Sequence, residues 1–330
     1  MRTLIIPCAG KHRINGKPLF LARHPQDGQP ILRKAIEGVF ATSYDRILVV
    51  LLASDVKKYH LNLMVSDELK QGLPLELVVL DHDTDGPADT VFEALRKAGV
   101  SGEFAVKDVH TLVQLSAPAT GNMIAGLDLT SYAGTIENLR AKSFIVTNEQ
   151  GQVLDVIEKR FRSDIISVGF YAFRKAEDFI LAYQHLKNPD YPITKLYLSH
   201  VISYLIGYKN RIFQCQMAQQ FEDWSTTKAW EDVSKRYATY ILDLDRLFPE
   251  TRGAKGSVHR KLMRLAKLGA LGAKFLCLTK EASFANFDAV TSANSPLAPY
   301  IIGKAANCSA SQYHLLITQW NQFNAMLTSE

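Results

Sequence analysis

The sequence predicts an α/β protein: a three-layer, mostly parallel sheet followed by a small second α/β unit. Three observations predict it. Apolar, strand-like runs alternate with helix-periodic segments through the first 110 residues, the order of strands joined by crossover helices. Arg46–Leu52 is apolar without alternation, as a strand covered on both faces must be. The length, 330 residues, exceeds an average domain of about 100–200.

The elements follow in order. Thr3–Cys8 is a short apolar run that enters a turn at Ala9-Gly10. Pro30–Phe40 carries Ile31, Leu32, Ala35, Ile36, Val39 and Phe40 near helical spacing. Ser54–Gln71 reads as a helix, and Leu75–Leu80 as a strand set off by Gly72 and Pro74. Pro87–Ala98 is a helix with proline in its first turn and Gly99 just past its end. Phe104–Lys107 is a fourth strand, closing on Asp108. Further on, Lys142–Thr147 and Val153–Lys159 flank a hairpin turn at 148–152. Ile165–Phe173 and Arg211–Gln216 read as strands, and Ala176–Leu186, Tyr197–Ile206 and Thr227–Tyr237 as helices. From about Tyr237 a smaller α/β block begins, giving domains 1–236 and 237–330. Its elements are a strand at Tyr240–Asp245, a basic amphipathic helix at His259–Leu268, strands at Ala273–Thr279 and Pro299–Ile302, and a closing helix at Gln312–Met326. Pro249–Gly256 is its loop, and the solvated face of a surface helix explains the basic residues of His259–Leu268 better than a membrane surface does.

Composition excludes several classes. Hydrophobic residues make up 47% and charged residues 22%, so a disordered or fibrous chain is ruled out. No apolar run approaches the roughly 18 residues of a membrane span. The four cysteines, Cys8, Cys215, Cys277 and Cys308, lie far apart without metal-ligand spacing. Free thiols and a cytoplasmic location are the expectation. The net charge of +5 concentrates in the last block, which has ten Lys/Arg against six Asp/Glu. That is too weak a bias for a nucleic-acid partner.

Four places could carry chemistry. In a parallel sheet, ligands sit beyond the carboxyl ends of the strands, which points first to 8–16 and 108–110. The segment Cys8-Ala9-Gly10-Lys11-His12-Arg13, with Lys17 beyond it, offers backbone N–H groups and positive charge to phosphates. It matches neither phosphate-loop spacing, and an ordinary basic loop is the plainer alternative. Asp108, at a strand tip, could hold a divalent cation or merely cap a turn. Asp223, followed by Trp224, Ser225 and Thr226, is also a plain N-cap pattern. Glu158-Lys159 could meet a sugar hydroxyl and a phosphate, or form a solvent-facing ion pair of little value.

Taken together, these pieces resemble the sugar-1-phosphate nucleotidyltransferases over roughly residues 1–236. Ile5–Gly10 and Lys17-Pro18-Leu19 look like that family's first strand, glycine-rich loop and Lys-Pro-Leu element. Gly86-Pro87-Ala88-Asp89-Thr90 resembles the turn before its base-binding helix. Val106-Lys107-Asp108 looks like the strand ending in a metal-binding aspartate. Glu158-Lys159 and Gly169-Phe170-Tyr171 resemble its elements near the sugar, and Asp223–Thr226 the segment with the second metal-binding aspartate.

The resemblance implies a Rossmann-like fold and transfer of a nucleotidyl group from an NTP to a sugar phosphate or similar acceptor, releasing pyrophosphate, with surface polysaccharide such as capsule as the destination. It implies Mg²⁺ on Asp108 and Asp223, with Arg13 and Lys17 on the triphosphate. It places Ala9, Gly10, Lys11, Gly86 and Thr90 at the nucleotide, and Glu158, Lys159 and Gly169 at the acceptor. The first loop departs from the family by having one glycine, and His110 stands where some relatives have a second acid. An inactive nucleotide- or sugar-phosphate-binding relative is therefore the alternative reading. The block 237–330 more faintly resembles a haloacid-dehalogenase-like unit through Asp243-Leu244-Asp245, Leu276–Thr279 and Lys304. In that family Asp243 would be the nucleophile and Asp245 the general acid/base. Arg246-Leu247 replaces the expected Gly-Thr, so the expectation is an accessory or oligomerisation domain, with phosphatase activity the alternative. Oligomeric state stays open, a homo-oligomer included.

Overall fold

The computed structural model describes residues 1–10, 13–14, 16–25, 28–61, 72–132, 134, 136–188, 195–237, 239–243, 262–266, 269, 273–278, 292, 295–304 and 314–317. The chain divides into two units: Met1–Arg23 with Gln29–Trp230, and His24–Gly28 with Glu231–Glu330.

The first unit is built on strands β1 (Thr3–Pro7), β2 (Arg13–Ile14), β3 (Lys17–Pro18), β4 (Arg46–Leu52), β5 (Leu75–Leu80), β6 (Phe104–Lys107), β7 (Thr111–Gln114), β8 (Met123–Asp128), β9 (Ser143–Thr147), β10 (Gln152–Glu158), β11 (Ile165–Phe173), β12 (Phe213–Met217) and β13 (Gln220–Asp223). Its helices are α1 (Ile31–Glu37), α2 (Ala53–Tyr59), α3 (Pro87–Lys97), α4 (Ala176–Leu186) and α5 (Leu198–Lys209), and α6 follows at Thr227–Arg236.

Nine strands form one sheet in the order β5-β4-β1-β6-β11-β8-β12-β10-β9. The predicted βαβ run supplies its parallel part: β4 pairs β1 and β5, and β1 pairs β6, all parallel. β1, β4 and β6 are buried almost throughout, which is why their sequences lack alternation. Beyond β6 the sheet is mixed, because β11 runs antiparallel to both β6 and β8. The predicted hairpin forms, with β9 antiparallel to β10. Phe104, Phe173 and Phe179 pack ring on ring with centroids 4.8–5.6 Å apart, tying α4 to the sheet; offset and edge-on geometry of this kind adds to the apolar burial.

Two predicted helices are corrected. The helix expected over Ser54–Gln71 ends at Tyr59, where His60 turns left-handed at φ +52°; residues 62–71 lie outside the described ones. The closing helix expected over Gln312–Met326 is not what the structure holds at its start: His314–Ile317 is strand β17. It pairs parallel with β14 (Thr239–Asp243). A short apolar run such as His-Leu-Leu-Ile does not distinguish helix from buried strand by period alone.

In the second unit, β14, β15 (Lys274–Leu278), β16 (Ile301–Lys304) and β17 form a wholly parallel sheet in the order β16-β15-β14-β17. Tyr240 and Phe275 stack in its core at 5.8 Å. Asp243 ends β14 and Lys304 ends β16; Asp245 and Thr279 lie outside the described residues. Among the described residues no helix is long and apolar enough to cross a membrane.

Candidate active site

A cleft of about 420 Å³ opens at the carboxyl ends of β1 and β6. This is where a parallel sheet places ligands. Ala9, Gly10, Gly86, Thr90 and Asp108 all line it, so five residues singled out from separate stretches of sequence share one wall. Asp83–Asp85, His110 and Lys195 are among the other residues lining it.

Each wall has a local cause. The Cys8 N–H still donates to Val50 O at 2.8 Å, so the chain leaves the sheet only at Ala9. Gly86 precedes α3, and a Cβ there would stand 2.7 Å from Leu196 O; only glycine permits this approach of backbone to backbone. Thr90 is buried, with Oγ1 2.6 Å from Thr84 Oγ1 and donating to Gly86 O at 3.2 Å. These bonds close the turn over the helix start.

Asp108 is set by a bulge in β11. The pairing of β11 with β8 slips between Ser167 and Tyr171, and Gly169 there adopts φ +82°. Its carbonyl accepts from the Asp108 N–H at 2.7 Å, and a Cβ on Gly169 would lie 2.7 Å from Asp108 Oδ2. Glycine is required on both counts. Behind Asp108, the fully buried Lys107 donates to Asp108 O at 2.5 Å, Thr111 O at 2.6 Å and Thr111 Oγ1 at 2.8 Å. Thr111 Oγ1 donates in turn to Val168 O at 3.0 Å. The ammonium thus clamps the β6–β7 turn onto the bulge. Burial pushes the Lys107 pKa down to about 7, against the pull of the Asp108 carboxylate.

Asp223 is not among the residues lining the cleft, but it is brought near Asp108 along a different path. β13 pairs antiparallel with β7, with Asp223 opposite Thr111, three residues beyond Asp108. The Trp224 N–H donates to His110 O at 2.7 Å. Lys142 Nζ lies 2.5 Å from Asp223 Oδ2, and the Ser225 N–H donates to Oδ1 at 2.9 Å. Burial would raise the Asp223 pKa, but Lys142 and Ser225 outweigh it and hold the carboxyl below its ordinary value. Asp108 goes the other way: burial raises it, Lys107 and Lys142 oppose this, and Glu158 and Asp223 reinforce it. These mutual influences gather Asp108, Asp223, Glu158 and Lys142 into one electrostatic group.

Glu158 ends β10 and accepts at Oε2 from Ser143 Oγ (2.5 Å) and Ser199 Oγ (2.6 Å). Lys159 turns left-handed at φ +56° and donates to the Tyr197 hydroxyl, its Nζ 4.0 Å from that ring's centroid. Lys195 Nζ lies 5.3 Å from the same ring. Arg13 is occupied within the protein: it makes a two-pronged pair with the buried Asp55 at 2.9 and 3.0 Å and donates to Gly10 O at 2.8 Å. Lys17 is exposed on the β2–β3 hairpin. Lys11 lies outside the described residues.

The donor set bears on Mg²⁺. Among the described residues no side chain donates to the Asp108 carboxylate, which faces the cleft; Mg²⁺ takes one or two such carboxylates plus phosphates and water. Asp223 is the second carboxylate, and both of its oxygens are engaged, Oδ2 by Lys142 and Oδ1 by the Ser225 N–H. Among the described residues no group of three or more His, Cys, Asp or Glu is placed to hold a metal. An ion held there would draw on the Asp108 carboxylate and otherwise on phosphate oxygens and water. Nothing in the sequence marks Lys142 or Lys195, whereas Lys107 stands out as a cation inside an apolar strand.

No family profile and no curated sequence matches the chain. Solved structures do. A nucleoside-diphosphate-sugar pyrophosphorylase from Vibrio cholerae RC9 is 19% identical, covering 70% of this chain and 98% of its own, with a TM-score of 0.57. The inositol-1-phosphate CTP transferase from T. maritima is 14% identical over 69% of this chain and 91% of its own, with a TM-score of 0.52. A UDP-glucose pyrophosphorylase complexed with UDP-glucose is 13% identical over 72% of this chain and 98% of its own, with a TM-score of 0.54. At these identities the likeness is one of fold. The chain has the α/β fold of nucleotidyltransferases.

Proposed function

We propose that the first unit transfers a nucleotidyl group from an NTP to a sugar phosphate or similar phosphorylated acceptor. The observation that carries this reading is the seating of Asp108 in a cleft at the strand ends, with Asp223 brought beside its turn by β13. A phosphate oxygen of the acceptor attacks the α-phosphorus of the NTP. The bond from that phosphorus to the oxygen bridging to the β-phosphate breaks, and pyrophosphate leaves with the electron pair. The acceptor brings its own anionic nucleophile, so no serine, cysteine or histidine is needed. The protein has to align the reactants and offset charge.

In this reading Ala9 and Gly10 face the triphosphate, and Lys11 is assigned to it from the sequence alone. Lys17 supplies charge, and Arg13 supports it by tying the loop through Gly10 O to Asp55. Gly86 and Thr90 shape the nucleotide wall. Glu158, fixed by two serine hydroxyls, accepts from a sugar hydroxyl. Lys159, steadied on Tyr197, takes the acceptor phosphate, and Gly169 keeps room for Asp108. Mg²⁺ on Asp108 and Asp223 would supply positive charge to the phosphate oxygens. The second unit is read as a non-catalytic accessory. The reaction would serve surface polysaccharide synthesis in the cytoplasm.

The test is pyrophosphate release across four NTPs and a panel of sugar phosphates, with Asp108→Asn as control. Turnover with at least one pair, lost in the variant, is expected. No turnover and no NTP binding by calorimetry would discard the reading. The binding-only alternative predicts thermal stabilisation by NTP without turnover; the single glycine of the first loop favours it.

A further inference from the structure

We propose that Lys142 is a built-in competitor of the divalent cation at Asp223, so that metal and ammonium exclude each other on that carboxylate. The proposal rests on the reading of Asp108 and Asp223 as the cation pair. Its basis is contact geometry. Lys142 Nζ sits 2.5 Å from Asp223 Oδ2, with the two side chains only 13% and 6% exposed. The other oxygen, Oδ1, accepts from the Ser225 backbone at 2.9 Å. Both oxygens of Asp223 are therefore engaged by the protein itself.

The lysine is held there from both ends. Its carbonyl accepts from the Lys159 N–H at 3.1 Å, which locks its backbone to the strand pair that carries Glu158. Its ammonium lies 6.0 Å from the Phe221 ring centroid, on the strand that carries Asp223. A partly buried ion pair of this kind is charge-neutral without any metal. A divalent ion entering at ligand distance of about 2.0–2.1 Å would meet a fixed positive charge on the same oxygen. Like charges so close, shielded from water, repel strongly. One of the two must leave.

Binding at Asp223 is then an exchange. The metal arrives, and the Lys142 ammonium turns to the negative charge that a nucleotide brings. Metal alone binds weakly, and metal with nucleotide binds well, because the displaced lysine needs an anion. The site resists loading until substrate is present.

The experiment is calorimetric titration of Mn²⁺ alone, without nucleotide, into the full chain and its variants. Lys142→Ala is expected to bind Mn²⁺ about tenfold more tightly than the parent, the scale on which groups around a metal site change affinity. Lys142→Arg, which keeps the charge, is expected to bind no more tightly than the parent. The double variant Lys142→Ala with Asp223→Asn is expected to return to parental affinity. If the alanine variant does not fold, Lys142→Gln carries the same expectation. Binding that Asp108→Asn abolishes but Lys142→Ala leaves unchanged or weakens overturns the competition and leaves the cation reading standing. Absence of Mn²⁺ binding in every form overturns both.

Discussion

Asp108 follows β6 and Asp223 closes β13, and the two carboxylates keep different company. The first opens on a cleft with no side-chain donor among the described residues, and burial raises its pKa. The second is wedged between an ammonium and a backbone N–H, and its pKa is lowered. Both are aspartates at strand ends, a few residues apart across the β7–β13 pair. The difference comes wholly from neighbours. It teaches that a strand-end acid is defined by which charges the fold sets against it: one of this pair faces an open cleft, and the other is already paired with an ammonium.

The largest effect expected from breaking this contrast is on turnover. Asp108→Asn should lower the rate of pyrophosphate release about a hundredfold to a thousandfold, the range seen when one group facing transition-state charge is removed. Circular dichroism should show the fold intact. Lys107→Met comes next. It leaves Asp108 O, Thr111 O and Thr111 Oγ1 without their shared donor, and denaturant unfolding should show a loss of about 3 kcal/mol. Gly169→Ala would force a Cβ against the Asp108 carboxyl at φ +82°, for a loss of about 1–3 kcal/mol together with a fall in turnover.

Titration of stability sharpens the comparison further. Asp108 binds its proton more tightly in the folded state than in the unfolded one, so its contribution is present at low pH and is lost as pH rises past its ordinary 3.8. Asp223 has the opposite sign: its contribution is present above 3.8 and is lost as pH falls through its lowered value. Asp108→Asn should therefore steepen the acid-side loss of stability, and Asp223→Asn should flatten it, as read from urea midpoints against pH. Lys107 acts on the alkaline side. Folding lowers its pKa from 10.5 to about 7, so the unfolded chain binds more protons between those values and stability rises with pH there; Lys107→Met should remove that rise. The smallest effect is at Glu158. Ser199→Ala deletes one of its two hydroxyl donors and should cost about 1 kcal/mol.

Much of the frame was legible in the sequence. Arg46–Leu52 announces a strand buried on both faces, and Pro87 with Gly99 brackets a helix, because each signal is local and recurs at a fixed period. The short strands β7 and β13 are not legible in the sequence. Thr111–Gln114 and Gln220–Asp223 are four residues each, too brief for a period, and each is strand only because the other lies beside it. His314–Ile317 is likewise strand only by virtue of its partner β14, which is remote in the chain. At the site, Asp108, Gly86 and Gly169 stood out as an acid or a glycine in a motif. Lys142 belongs to no motif.

By itself the sequence determined the alternation of strand and helix, the apolar runs that had to be covered, and an acid, Asp108, at the tip of a strand. Those follow from side-chain size, polarity and backbone preference, which act between near neighbours. The tertiary structure alone decided which aspartate is open and which is paired. Charge interactions act through space, and only the pairing of β13 with β7 and of β9 with β10 brings Lys142, Asp223, Asp108 and Glu158 within reach of one another.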